Sequence, residues 1–212
     1  MDATGSALPG ESSRSVFRQA LRSDFPLIVD IWTDAFAGDP FLGWMCGDGE
    51  WSRFGPEWLG FILELTFERG HTYVADGDAA AVGWIPPDVA FAGPGDMDRG
   101  AAIVERHAGA VRAADALQTI RSMRAHITEA PHWTLQYIGV RPSRRSKGLG
   151  TTIVEPHLAA CDRDQLSCAL ISSNPANVPF YRRLGFEIDA ELWSPDRAAS
   201  VRAMTRPPGQ LR

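Results

Sequence analysis

At 212 residues, 44% hydrophobic and 22% charged, the chain is long enough to bury the core of one domain without covalent staples. A formal net charge of -5 disfavours a broad nucleic-acid footprint but leaves room for a local basic patch. Cys46, Cys161 and Cys168 make an odd count without C-x-x-C spacing, so neither a disulfide framework nor a zinc knuckle is expected, and the setting reads as reducing and cytoplasmic.

Residues 1–14 carry neither an apolar run nor a basic n-region and read as a flexible leader ahead of one domain over 15–212. Residues 15–20 read as a short strand. Asp24 is placed to cap a helix running to Phe36, with Pro26 tolerated in its first turn. Between Gly38 and Gly55, glycines interleaved with aromatics describe a loop. Trp58, Leu59, Ile62, Leu65 and Phe67 recur at helical spacing over 56–69, and Gly70 ends that helix. Strands over 71–75 and 79–85 form a hairpin across Asp76-Gly77-Asp78, with Pro86 and Pro87 stopping the second. After a loop over 91–98, two helices follow over 99–112 and 113–127, closed by Pro131. Residues 133–140 are β-rich and lead through a glycine-bearing turn into a helix over 148–161. A buried strand over 167–172, a short helix over 176–184 and strands over 186–192 and 199–204 complete the order. This alternation predicts a mixed α/β sheet with helices on both faces. No stretch approaches the length of an apolar membrane span.

The informative stretch is Val140-Arg-Pro-Ser-Arg-Arg-Ser-Lys-Gly-Leu-Gly150. Gly148 and Gly150 at a helix opening let the backbone come close to a ligand, and the unpaired N–H groups of a first helical turn favour an anion. Arg141, Arg144, Arg145 and Lys147 add positive charge with no acid among them, which suits a diphosphate. The spacing is neither that of a P-loop, since Lys147 precedes Gly148, nor a full dinucleotide fingerprint, since a third glycine is missing. On these residues alone, a basic turn that only solvates a strand–helix junction accounts for the stretch equally well.

Arg145-Ser-Lys-Gly148-Leu-Gly150 resembles the R/Q-x-x-G-x-G/A signature of the GNAT family of N-acetyltransferases. Asn174-Pro-Ala-Asn177-Val-Pro-Phe180-Tyr181-Arg-Arg-Leu-Gly185-Phe186 resembles its second ordered motif. Asp34-Ala-Phe36-Ala-Gly-Asp39-Pro40 and His132-Trp133 resemble the puromycin N-acetyltransferase branch and extend the likeness over the chain after Ser15. The resemblance implies the GNAT fold: a single mixed, largely antiparallel twisted sheet with a splayed central strand and helices on both faces. It also implies an acyltransferase that moves an acetyl group from acetyl-CoA, or from another acyl-CoA, to the amine of a small molecule, such as an antibiotic or a biosynthetic intermediate.

By the same resemblance, Ile138, Gly139 and Val140 border the pantetheine arm, and a backbone N–H of Gly139 or Val140 polarises the thioester carbonyl. Arg145, Ser146, Lys147, Gly148, Leu149, Gly150 and Thr151 hold the pyrophosphate. Asn174 and Asn177 orient the cofactor or cap the helix that follows. Tyr181 is the acid, donating a proton or a hydrogen bond to the leaving thiolate. Phe36, Asp39, Phe41, Trp44, Trp51, Trp84 and Trp133 are candidates for the acceptor pocket, whereas Trp58 and Phe61 read as ordinary helix packing.

Two residues depart from the pattern. Ile171 stands where the nearest relatives carry a glutamate, so the base lies between a water relay, an already neutral amine, and Asp39, Glu64 or His132. Ser146 stands where glycine is common. His71, His107, His126 and His157 show no ligand spacing, so no metal is expected. Two other functions share these motifs. One is acyl transfer from aminoacyl-tRNA or a carrier protein, against which the acidic balance weighs. The other is a non-catalytic sensor of CoA or a metabolite.

Overall fold

The computed structural model describes residues 17–75 and 78–209. The leader expected over 1–14, the start of the first strand and the Asp76-Gly77 turn lie outside them. Strands β1 (Phe17–Gln19), β2 (His71–Ala75), β3 (Ala80–Ile85), β4 (His132–Val140), β5 (Ser167–Ser172), β6 (Glu187–Trp193) and β7 (Ser200–Arg206) form one seven-stranded sheet in the order β1-β2-β3-β4-β5-β7-β6. Neighbours are antiparallel except β4 and β5, which run parallel.

Helices α1 (Phe25–Phe36), α2 (Pro40–Cys46), α3 (Trp51–Arg69) and α4 (Pro94–Arg124) cover one face of the sheet. Helices α5 (Leu149–Arg163) and α6 (Val178–Arg183) cover the other. Each helix docks through an apolar stripe at helical spacing. Ile28, Ile31 and Trp32 of α1 are fully buried, and the Trp32 indole N–H donates to Ala81 O at 3.1 Å, so its one polar atom is matched inside the core. On the opposite face Ile153, Val154, Leu158 and Cys161 of α5 form the corresponding stripe.

The stretch expected as a loop over 38–55 contains α2 and the first turn of α3. Asp39 starts α2: its Oδ1 accepts the N–H groups of Phe41 and Leu42 at 3.1 and 3.0 Å, and Pro40 follows where no N–H is needed. Similarly, the loop expected over 91–98 opens α4 at Pro94, because Asp96 accepts the Gly93 N–H at 2.9 Å. The two helices expected after it are separated at Gly109, not near 112, since Gly109 takes φ 84°, ψ 165°, a backbone conformation that glycine alone adopts freely.

One irregularity decides which way the central strand faces. β4 pairs Leu135 with Trp84 and Tyr137 with Gly83, leaving Gln136 as an extra residue opposite β3. That bulge reverses the alternation. Trp133 and Leu135 face the α5 side before it, Ile138 and Val140 face that side after it, and Tyr137 turns toward α1.

On the α5 face, His157 stacks on Trp84 at 4.2 Å and meets the edge of Trp133 at 4.3 Å, with its Nε2 buried and unpartnered. Burial first, and the charge of His71 second, lower its pKa from 6.5 to about 4. An unfolded chain takes a proton near 6.5 that the folded one refuses until about 4, so stability present above that window is lost as pH falls through it. The expected loss is about 3 kcal/mol at most. Urea unfolding at pH 7 and pH 4 checks it: His157→Phe is expected to lose less stability between the two than the wild type does.

Candidate active site

The parallel pairing of β4 with β5 runs from His132–Ser167 to Leu135–Leu170 and stops there. Beyond the bulge β4 pairs with β3 alone, and a slot opens between the two strands. Arg141 N–H donates to Ala79 O at 2.9 Å. By the alternation of an antiparallel ladder, Gly139 and Tyr137 also exchange their bonds with β3, so the N–H and C=O groups of Ile138 and Val140 point into the slot. Of the two residues expected to offer a backbone donor, Val140 is the one whose N–H faces the slot. Gly139 has a different constraint: a Cβ there would lie 2.6 Å from Trp32 Cδ1, so the residue lets α1 pack on β4.

The slot continues into a cavity of about 1320 Å³, open mouth included, whose lining contains Ile138, Val140, Arg145, Ser146, Gly148, Leu149, Gly150, Thr151, Asn174 and Asn177. Of the expected cofactor residues only Gly139 and the exposed Lys147 lie outside it. The local charge also differs from the sequence reading. Arg141 is taken by Asp30 and Asp34 of α1 and donates through Nε to Asp78 O, so it is matched before any anion arrives. Arg144 and Arg145 remain, and Arg183 of α6 joins them. Arg145 also ties the end of α1 to the end of β4 through Ala35 O at 2.7 Å and Val140 O at 3.3 Å.

Gly148 begins α5 with φ 76°, and Ser146 holds φ 62°, the left-handed region that costs a side-chain-bearing residue energy. Ser146→Gly is expected to gain roughly 1 kcal/mol, seen as a rise in Tm of about 2–4 °C for a chain of this size. An unchanged or lower Tm would show that the serine hydroxyl compensates for the strain.

A second cavity, of about 1150 Å³ with its mouth, lies under α3 and α4. Phe36, Ile138, Asn177 and Tyr181 line both cavities and mark where they join. Tyr181, 8% exposed, is held by edge contacts to Phe180 and Phe186 at 5.2 and 6.1 Å. Its hydroxyl has no hydrogen-bond partner among the described residues. Burial, with the charge of Asp39 acting the same way, pushes the phenol well above its ordinary pKa. Asp39 lines the first cavity and is itself buried; Ser173 Oγ donates to its Oδ2 at 2.7 Å. Burial raises the Asp39 carboxyl, against hydrogen bonds from Leu42, Ser173 and Phe41 that pull it down.

Of the expected acceptor residues, Phe36 and Phe41 line the second cavity, and Asp39 lines the first. Trp44, Trp51, Trp84 and Trp133 line neither. Trp44 donates to Asp196 and lies under Arg112, binding α2 to α4 and the β6–β7 turn. Trp51 donates to Thr33 O. Trp84 and Trp133 are on the α5 side of the sheet, packed on His157. Trp58 and Phe61, read as helix packing, form the wall instead with Ile62 and Leu65. Their i, i+3, i+4, i+7 spacing was the available signal. Tyr137 joins them, its hydroxyl accepting from Trp58 Nε1 at 3.1 Å. Ile171 adds an apolar side chain to the lining of the same cavity.

A sheet splayed at its centre, with a basic turn at the mouth and a second pocket meeting it at a buried tyrosine, forms a site with two adjoining chambers. Residues 99–188 match the family model of the acetyltransferase (GNAT) domain. Among solved structures, a protein from Corynebacterium glutamicum described as histone acetyltransferase HPA2 and related acetyltransferase is similar at 24% identity, over 93% of this chain and 98% of that one, with a TM-score of 0.63. The Drosophila melanogaster polyamine N-acetyltransferase is similar at 15% identity over 91% and 99%, TM-score 0.62. Arylalkylamine N-acetyltransferase 2 of Aedes aegypti is similar at 12% identity over 91% and 98%, TM-score 0.62. The fold is the GNAT fold, and over residues 99–188 the chain is similar to the GNAT acetyltransferase domain, which together indicate an N-acetyltransferase enzyme.

Proposed function

We propose that this chain transfers the acetyl group of acetyl-CoA to the amine of a small molecule. The observation that carries the reading is the junction itself: a polar, arginine-bearing cavity and an apolar one share Phe36, Ile138, Asn177 and Tyr181. The first suits a nucleotide diphosphate with its extended arm; the second, walled by Trp58, Phe61 and Tyr137, suits a flat or apolar amine such as an antibiotic or a biosynthetic intermediate. The aromatic wall is also what a puromycin-like acceptor would require. No helix among the described residues is long and apolar enough to cross a membrane. The three cysteines are free and buried, which supports the cytoplasm.

In this reading Arg144, Arg145 and Arg183 and the first-turn N–H groups of α5 bind the pyrophosphate, and Ile138 and Val140 pair with the pantetheine amides. The Val140 N–H stabilises the carbonyl oxygen as the amine attacks. Of the three candidate bases, Glu64 is paired with Arg99 at 2.7 Å and the His132 ring engages Ala130 O at 2.8 Å. Neither lines a cavity, and Asp39 does. Asp39 accepts the amine proton through Ser173, whose hydroxyl bridges from the acceptor cavity to the carboxylate. Calorimetry with acetyl-CoA, followed by thiol release on adding a panel of aromatic and aliphatic amines, tests the reading. Absence of binding at millimolar acetyl-CoA would overturn it.

A further inference from the structure

Arg124, the last residue of α4, and Asp96, in its first turn, are the only charged side chains among the described residues lining the acceptor cavity. Asp96 is matched: Arg69 Nη1 donates to it at 2.6 Å and the Gly93 N–H at 2.9 Å. Arg124 is not. Its guanidinium lies over the Phe91 ring at 5.4 Å and makes no hydrogen bond or ion pair among the described residues. Burial lowers its pKa from the ordinary guanidinium value, and no carboxylate acts against that. The helix C-terminus favours a cation there, but its carbonyl dipoles do not satisfy the planar fork of N–H donors. Neither Arg124 nor Phe91 is shared with the cofactor cavity, so both lie away from the transfer junction. Phe61, Leu65, Ile120 and Met123 contribute apolar wall to the same cavity.

Arg124 is half-buried, and a guanidinium without a protein partner at the wall of an apolar pocket is selective for a complementary ligand group. We propose that Arg124 determines acceptor specificity by binding a carboxylate, so that the preferred acceptor has its reactive amine at one end of an aromatic or aliphatic body and a carboxylate at the other. A single guanidinium beside the negative end of a helix suits a monoanion, and its fork matches a carboxylate in two parallel bonds. The amine end of this statement rests on the acyl-transfer reading; the anion end does not.

The test uses the full chain and calorimetry with 4-phenylbutyrate and its neutral counterpart 4-phenylbutanol. The acid is expected to bind about 10-fold or more tightly than the alcohol, the value of a charge-assisted pair. In Arg124→Gln that ratio should fall below about two-fold, while Arg124→Lys keeps part of it; acetyl-CoA affinity should be unchanged in both. Acid and alcohol binding alike in the wild type, or a preference that survives in R124Q, overturns the proposal. A purely structural role at the helix end would lower Tm without moving the ratio, and that result overturns it too. Should R124Q fail to fold, the wild-type ratio and R124K decide. On turnover, 4-(aminomethyl)phenylacetate should exceed its methyl ester in kcat/KM, through KM. A protein that prefers the acid through Arg124 yet ignores acetyl-CoA would keep this proposal and lose the acyl-transfer reading.

Discussion

Replacing Tyr181 by Phe is expected to lower kcat by about 100- to 1000-fold while leaving acetyl-CoA affinity within about three-fold. The ring remains to pack on Phe180 and Phe186, and the hydroxyl removed has no partner among the described residues, so the fold keeps its contacts. The upward shift of the phenol bears on how it acts. An ordinary thiol titrates near 8.5, so a phenol raised well above 10 by burial is the weaker acid of the two. On the acyl-transfer reading its proposed role is to hold the departing thiolate with a short hydrogen bond, the proton coming from the amine side of the reaction. Kinetics at saturating acetyl-CoA, paired with calorimetry, check this. A kcat within a few-fold of wild type would remove Tyr181 from the chemistry, and equal losses in kcat and cofactor binding would make it a binding residue.

Much of the architecture was legible in the sequence because it is local. The helical stripe of α1, the turn from Val140 to Gly150 and the Asn-Pro motif before Tyr181 each announce themselves within a dozen residues. Most of the residues lining the first cavity lie in those stretches. The rest of the site was not legible, because two effects are not local. The bulge at Gln136 adds one residue to β4, and alternation counted along the strand cannot show that Tyr137 changes face while Trp133 keeps its own. Charge matching is the second. Arg141 sits in the basic turn by sequence, yet Asp30 and Asp34, more than a hundred positions earlier, claim it, and Arg183 arrives from another motif. Asp39-Pro40 shows the intermediate case: the dipeptide signals a helix start inside what looked like loop, and only the fold brings Ser173 to its carboxylate.

That carboxylate caps α2 and is the proposed base, and Asp39→Asn separates the two. Asn caps a helix as well as Asp does, so the N–H groups of Phe41 and Leu42 keep their acceptor and α2 keeps its start. What disappears is the negative charge proposed to receive the proton. The expected result is a fall in kcat/KM of about 100-fold or more at pH 7, with acetyl-CoA affinity unchanged. Stability should hold or rise. Burial raises the folded Asp39 above the ordinary value of an aspartate, so the ionised form opposes folding at neutral pH and the opposition fades as pH falls through the raised value; a neutral amide removes it. The same shift predicts that kcat in the wild type falls on the acid side with an apparent pKa above 3.8, and that this limb is missing in the variant. Ser173→Ala, which leaves the charge but removes the bridge, should reproduce most of the rate loss. If D39N instead melted earlier and retained its turnover, Asp39 would be a cap only, and the amine would have to reach the site already neutral.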